Sequence, residues 1–228
     1  MIYLYSGTPG SGKSLHVAEK LYWRIKNNKT VIANFDINYK KIHGKRLGEF
    51  IYIDNFELSP DILMALSREY FGDDKVVKEG DLLLIIDECQ ILFNSRDWNQ
   101  KNRNAWLSFF TQHRKFGFDI ILVAQFDRMI DRQIRALIEY EYIHRKVSNF
   151  GIPGKIMSVI AAGNLFVCVK VWYPLKEKVG SEFFRAKRKY YSLYDTFMMF
   201  GSPDDGGSSP GGRLSDGGLQ GAPHDATA

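Results

Sequence analysis

Cysteine is scarce in this sequence, with only Cys89 and Cys168 among 228 residues, each inside a strongly apolar stretch. That excludes a disulfide-stapled scaffold and predicts two reduced, buried thiols, as expected of a cytosolic protein. The opening residues do not read as a charged-then-apolar leader, so no secretory signal is expected. An apolar run of membrane length is also lacking. The longest apolar stretch, Ile156 to Tyr173, is interrupted by Gly163-Asn164 and by Lys170, whereas a membrane helix needs about twenty apolar residues. Its β-branched and aromatic residues on both sides of Gly163-Asn164 predict a strand-turn-strand hairpin. No internal repeat is found.

Charge of one sign is in modest excess. The net charge is +5, but the segment from Gly201 onward carries four Asp against one Arg, so residues 1–200 hold about +8. Such a balance suits a polyanionic partner or a plain solvated surface equally well. The segment 201–228, rich in Gly, Ser, Asp and Pro, has almost nothing to bury and predicts a disordered tail. Residues 1–200 remain as one domain, long enough for a substantial core, and 45% apolar residues mark the chain as globular.

What is present begins almost at once. The apolar run "IYLYS" reads as a strand and is followed directly by "GTPGSGKS", Gly7 to Ser14. From Lys13 a helical spacing of Leu15, Val17, Ala18, Leu21, Tyr22 and Ile25 runs to the polar stop "KNNK". "TVIANF" and "FIYID" read as strands, and "SPDILMALSREYFG" as a helix with Ser59 as N-cap, Pro60 in the first turn and Gly72 as its stop. "LLLIIDE" is too short for a helix and too continuously apolar for a half-exposed strand, so it predicts a central parallel strand buried on both faces. "NRNAWLSFFTQHRKFG" predicts a helix, "FDIILVAQ" a buried strand, "DRQIRALIEY" a helix and "EYIHRKV" a strand. The basic "FRAKRKYYSLYDT" closes the ordered part. Strands alternating with helices predict an α/β fold, a mostly parallel sheet covered by helices with a C-terminal β-hairpin. Ligands of such folds bind at the carboxyl ends of strands, here after "IYLYS", "LLLII" and "IILVA".

The pattern G-x-x-x-x-G-K-S between a strand and a helix is the Walker A phosphate loop of P-loop NTPases. Its main-chain amides form a nest for phosphate oxygens and the helix adds its positive end. Gly7, Thr8, Pro9, Gly10, Ser11, Gly12, Lys13, Ser14 and Leu15 are the expected nucleotide cradle, with Lys13 on the β- and γ-phosphates of ATP and Ser14 on Mg²⁺. A carboxylate at a buried strand end beside a phosphate site needs a cation to face, which makes Asp87 a second Mg²⁺ holder. Glu88 is the expected base for the attacking water. Gln125, at the end of "FDIILVAQ", is placed to sense the γ-phosphate without adding charge. For the arginine that meets transition-state charge the candidates are Arg114, Arg128, Arg132 and Arg135, with Arg114 preferred because it precedes the strand ending in Gln125. A guanine-reading N-K-x-D is missing, against a small GTPase, and no arginine-rich lid follows Gln125, against a small-molecule kinase.

"LLLIIDECQILFNSRDWN", with its D-E-C step and F-N-x-R-x-W segment, followed by "FFTQHRKFGFDIILVAQFDRMIDRQIRALIEYEYIHRKV", resembles the ATPase domain of filamentous-phage assembly proteins, the zonula-occludens-toxin-like family, over about residues 1–197. The resemblance implies an additional-strand catalytic-glutamate P-loop NTPase, with Gly12, Lys13 and Ser14 on nucleotide and metal, Asp87 and Glu88 on metal and water, and Gln125 on the γ-phosphate. It implies an ATP-driven motor for virion assembly and export at the cytoplasmic face of the host inner membrane. It also implies a homo-oligomeric ring, a hexamer by preference, with Arg114 acting on a neighbour's nucleotide and Asn94 to Trp98 shaping a subunit contact or pore loop. Partners are then phage coat and assembly proteins and single-stranded DNA. The family's membrane helix has no counterpart in this sequence, so attachment is expected through a missing segment or a partner. Two other readings share the site chemistry: a DNA packaging or translocation ATPase, and a nucleotide-gated binding module without catalysis.

Overall fold

A computed structural model of the chain describes residues 1–72, 76–94, 100–160 and 165–193, all within the compact unit Met1–Asp195. Eight strands form one sheet: β1 (Ile2–Ser6), β2 (Thr30–Ala33), β3 (Phe50–Tyr52), β4 (Leu82–Ile86), β5 (Phe118–Val123), β6 (Tyr140–Lys146), β7 (Leu165–Trp172) and β8 (Glu177–Arg185). Their order across the sheet is β3-β2-β4-β5-β1-β6-β7-β8. The first six strands run parallel, and β7 and β8 add antiparallel at one edge. The phosphate-loop strand β1 therefore does not touch the acidic strand β4; β5 is inserted between them. The helices are α1 (Lys13–Lys26), α2 (Pro60–Phe71), α3 (Gln100–Gln112), α4 (Arg132–Arg135), α5 (Gly151–Ile160) and α6 (Arg188–Tyr191).

The continuous apolar runs are explained by two cores, one on each face. Along β4, Leu82, Leu84 and Ile86 enter the core that holds Leu63 and Phe71 of α2 and Trp106, Phe109 and Phe110 of α3. The alternate residues Leu83 and Ile85 enter the other core, against Val17, Leu21 and Ile25 of α1. A strand side chain changes face at every residue, so a strand covered on both sides must be apolar throughout. The expected helix punctuation is in place: Ser59 Oγ accepts from the Ile62 amide and Gly72 follows the last turn of α2.

Two expectations need correction. The hairpin lies further along the chain than Ile156 to Tyr173: Gly151–Ile160 is the helix α5, and the hairpin is β7-β8 with its turn at 173–176. Gly151 enters α5 at φ 67° and Pro153 sits in its first turn, start signals that outweigh the β-branched content. The edge of β6 is filled by β7 in a continuous register from Tyr140↔Trp172 to Lys146↔Phe166. The helix expected in "DRQIRALIEY" shrinks to the single turn α4, because Ile134 and Ile138 must reach the core before the chain enters β6 at Tyr140. Trp98 and the rest of 95–99, and the tail 201–228, lie outside the described residues; Phe93 is a core side chain.

Candidate active site

β1 delivers the loop. Gly7, Gly10 and Gly12 have φ of 143°, 73° and 95°, in the region that side chains disfavour. At Gly7 a Cβ would come 2.6 Å from the His144 carbonyl oxygen, and at Gly12 2.6 Å from the Phe166 ring, so both positions lack room as well as conformational freedom. The loop is tied to its neighbour strand by the Gly7 amide, which donates to the Gln125 carbonyl at 3.2 Å, and closed on itself by Ser11 N–H to Thr8 carbonyl at 3.1 Å. Lys13 folds its ammonium back onto the Gly7 and Thr8 carbonyls at 2.6 and 3.2 Å. Burial holds that ammonium below its usual pKa, against the pull of Glu88 and Asp87, so both acids act on the loop's lysine. Ser11 Oγ is buried with no partner among the described residues. An unsatisfied hydroxyl, an ammonium resting on its own loop and a turn too tight for a Cβ together fit a phosphate group.

β4 delivers the acids. Asp87 is fixed through its backbone by Asn34, at the end of β2: the Asp87 amide donates to Asn34 Oδ1 at 2.7 Å, and Asn34 Nδ2 donates to the Asp87 carbonyl at 2.8 Å. Asn34 Nδ2 also reaches Asn55 Oδ1 at 2.8 Å. Asp87 Oδ1 accepts from the Glu88 amide at 2.8 Å. Glu88 itself stands at φ 45°, ψ 45°, a left-handed conformation that costs a residue with a side chain on the order of 1–3 kcal/mol. Its carboxylate accepts a hydrogen bond from Gln90 Nε2. Asn34 and Gln90 were not anticipated; the polar residue ending "TVIAN" at the same carboxyl edge was the available signal for the first.

β5 delivers Gln125, half-buried, to the wall of a cleft of about 450 Å³. Ser6, Gly7 and Thr8 form one side of it, and Glu141, His144 and Arg145 of β6 the other. Ser6 Oγ donates to buried Glu141 at 2.7 Å, and Glu141 is met by Lys176 at 3.0 Å, a bracing network that sequence reading did not supply. Ser14 and Leu15 open α1, Ser14 half-buried and Leu15 in the core, with Thr8, Pro9 and Gly10 around the loop's apex.

The carboxyl ends of β4, β5 and β1 are adjacent, so Asp87, Glu88, Gln125 and the loop are gathered at one edge of the sheet. Arg114 is not. It lies in the turn entering β5, at the amino edge, bonded to Glu139 at 2.7 Å and Glu79 at 3.3 Å. Its own loop is a strand's length away. Arg128 is exposed just after β5, and Arg132 and Arg135 bound the short α4.

The sequence profile described as zonular occludens toxin (Zot) matches residues 1–197. The Gene 1 protein of Escherichia phage If1 is 33% identical over 213 residues, 87% of this chain and 59% of that protein. The chain thus spans about three fifths of this curated relative's length. In fold, the N-terminal domain of zonular occludens toxin from Neisseria meningitidis superimposes with TM-score 0.53 at 19% identity, covering 85% of this chain and 98% of that one. A second solved structure, an ATPase domain, gives 0.56 at 9% identity, covering 84% of this chain and 83% of that one. With its phosphate loop, its inserted β5 and its paired acids at one strand edge, the chain has the P-loop NTPase fold and belongs to the zonular occludens toxin (Zot) family.

Proposed function

We propose that this chain is the ATP-hydrolysing part of a motor that powers filamentous-phage assembly and export, as the relationship to a phage Gene 1 protein suggests. The observation that carries the reading is the convergence of the loop, Asp87–Glu88 and Gln125 at adjacent strand ends. The amides of Gly10 to Ser14, with Lys13, would hold the triphosphate, and Ser14 with Asp87 would hold Mg²⁺, which supplies charge neutralisation of the β- and γ-phosphate oxygens. Glu88 orients and takes a proton from the attacking water, and Gln125 reports on the γ-phosphate. Residues 1–200 act as the ATPase domain and 201–228 as an appended tail.

Arg114 supports a shared site only across a subunit boundary, since its amino-edge position keeps it from its own loop. A ring is therefore part of the proposal, with coat protein, assembly proteins and single-stranded DNA as its partners. Among the described residues no helix is long and apolar enough to cross a membrane. Attachment to the inner membrane's cytoplasmic face is assigned to a partner or to a segment outside them.

Steady-state hydrolysis across a protein-concentration series tests this. Glu88→Gln should bind ATP and lose about 10²- to 10⁴-fold in rate, and Lys13→Ala should lose binding. Turnover by Glu88→Gln at the wild-type rate would remove Glu88 as the base, and absence of turnover by the wild-type chain would leave only a nucleotide-gated binding module.

A further inference from the structure

Beside the phosphate loop, on the α1 side of the sheet, two imidazoles and a thiol converge from distant parts of the chain. His16 belongs to α1, His144 to β6 and Cys168 to β7, and all three are buried. One ring nitrogen of each histidine and the Cys168 sulfur lie within 4.8 Å of one another. His144 and Cys168 are direct cross-strand partners, and Cys168 is in turn paired with Glu182 of β8. Side chains directly opposite in a sheet share a face, so His144 and Cys168 lie side by side beneath His16, and exposed Glu182 stands next in the row, from where its carboxylate must swing inward to join them.

We propose that His16, His144 and Cys168, completed by Glu182, form a binding site for a tetrahedral, thiolate-accepting divalent cation of the Zn²⁺ class, separate from the Mg²⁺ position at the phosphate loop. Imidazole nitrogen, thiolate sulfur and carboxylate oxygen are the ligand types Zn²⁺ takes in fourfold coordination. Mg²⁺, which demands oxygen ligands in an octahedron, does not fit this set.

The orientation of His144 matches that of a metal ligand. Its Nδ1 faces the Ser6 carbonyl at 3.1 Å, and an N–H donated there leaves the Nε2 lone pair pointing inward, the outer hydrogen bond that metal-bound histidines almost always make. That Nε2 faces Nδ1 of His16 at 2.8 Å. With Zn–N bonds of about 2.0–2.1 Å, tetrahedral geometry sets the two nitrogens about 3.3 Å apart, so the pair must open by roughly half an ångström. His16 must also carry its proton on Nε2 rather than Nδ1.

Burial favours neutral rings with available lone pairs: it brings His16 down to about 2, with help from His144 and Lys20, and His144 down to about 4. Burial and then Glu182 push the Cys168 thiol up to about 12, and a cation reverses both effects by favouring the thiolate. Metal binding releases that thiol proton to solvent. The thiolate and the Glu182 carboxylate then balance the two positive charges. Exposed Lys20, one turn beyond His16, is the opposing charge and has room to swing into solvent. Tyr5 and Phe184 stack on His16 at 4.9 and 5.0 Å between centroids and exclude water.

An occupied site would bolt the first turns of α1 to β6 and β7, beside the strand that ends at Ser6. Cobalt titration of the reduced, purified chain in excess Mg²⁺ reads it without reference to hydrolysis. One equivalent of Co²⁺ should produce a thiolate-to-cobalt charge-transfer band with tetrahedral d–d absorption, displaced by Zn²⁺, and Zn²⁺ should raise the thermal midpoint. Cys168→Ala should abolish the charge-transfer band, Cys89→Ala should keep it, and Glu182→Gln should weaken Zn²⁺ binding by at least about 10-fold, the order lost when even an outer partner of a ligand is removed. Absence of the band in the wild-type chain overturns the site, as does its survival in Cys168→Ala or its loss in Cys89→Ala. If Cys168→Ala does not fold, His16→Gln takes its place: unchanged tetrahedral absorption in that variant overturns the proposal.

Discussion

Glu88, the proposed base, holds its position at a conformational cost to the fold. Its left-handed backbone is a conformation glycine adopts freely, so Glu88→Gly removes strain while deleting the proposed base. The variant should lose about 10²- to 10⁴-fold in hydrolysis with stability unchanged or raised by up to about 1 kcal/mol, measured by urea unfolding beside an ATPase assay; a loss above about 2 kcal/mol in unfolding would rule out the strain. Asn34 is the complementary case, a buried amide that bonds both the amide and the carbonyl of Asp87. Asn34→Leu leaves the Asp87 amide without its partner and should cost about 1–3 kcal/mol, with a higher half-saturating Mg²⁺ concentration for turnover as the sign that the proposed metal holder Asp87 has moved. At Gly12, a methyl group must displace the Phe166 ring at a positive φ, so Gly12→Ala should impair nucleotide binding in a direct titration even where the chain still folds.

Among the elements, the turn between α3 and β5 carries a group whose titration is legible. His113 is buried, its Nδ1 contacts the Phe110 carbonyl at 2.5 Å, and burial lowers its pKa below the ordinary value. The unfolded chain therefore takes up a proton near pH 6.5 that the folded chain resists. The stability involved is fully present above about pH 6.5 and is lost as pH falls toward the folded value, by up to about 1.4 kcal/mol per pH unit. Urea unfolding at pH 7.5 and 5.5 should show a smaller drop for His113→Gln than for the wild type; equal drops would remove His113 as the cause. The same scale accounts for what sequence reading misplaced. α5 has the β-branched content of a strand, but helix start signals and the occupation of the β6 edge by β7 decided its form. Local propensity is a weak force where a sheet edge is already filled.

For the whole molecule, Arg114 and the phosphate loop lie at opposite edges of the sheet, so the proposed trans role of Arg114 would tie hydrolysis to subunit assembly. A trans arginine predicts specific activity that rises cooperatively with protein concentration, and Arg114→Ala should lose that rise and about 10³-fold or more in rate while unfolding within about 1 kcal/mol of the wild type, because its ion pairs are half-exposed. Specific activity independent of concentration would leave Arg114 as a structural ion-pair partner of Glu139 and Glu79.

The phosphate loop, the α/β class and the identity of the strands that end at the site were all legible from local pattern, since a Gly-Lys-Ser turn and doubly buried strands write their constraints into contiguous residues. Asp87, Glu88 and Gln125 could be named for the same reason, each closing an apolar run. The insertion of β5 between β1 and β4, the bracing of Asp87 by Asn34, the distance of Arg114 from its own loop and the meeting of His16, His144 and Cys168 were decided only by the tertiary structure. They depend on which strands become neighbours, and strand order is set by packing across the whole sheet rather than by any stretch of chain that can be read alone.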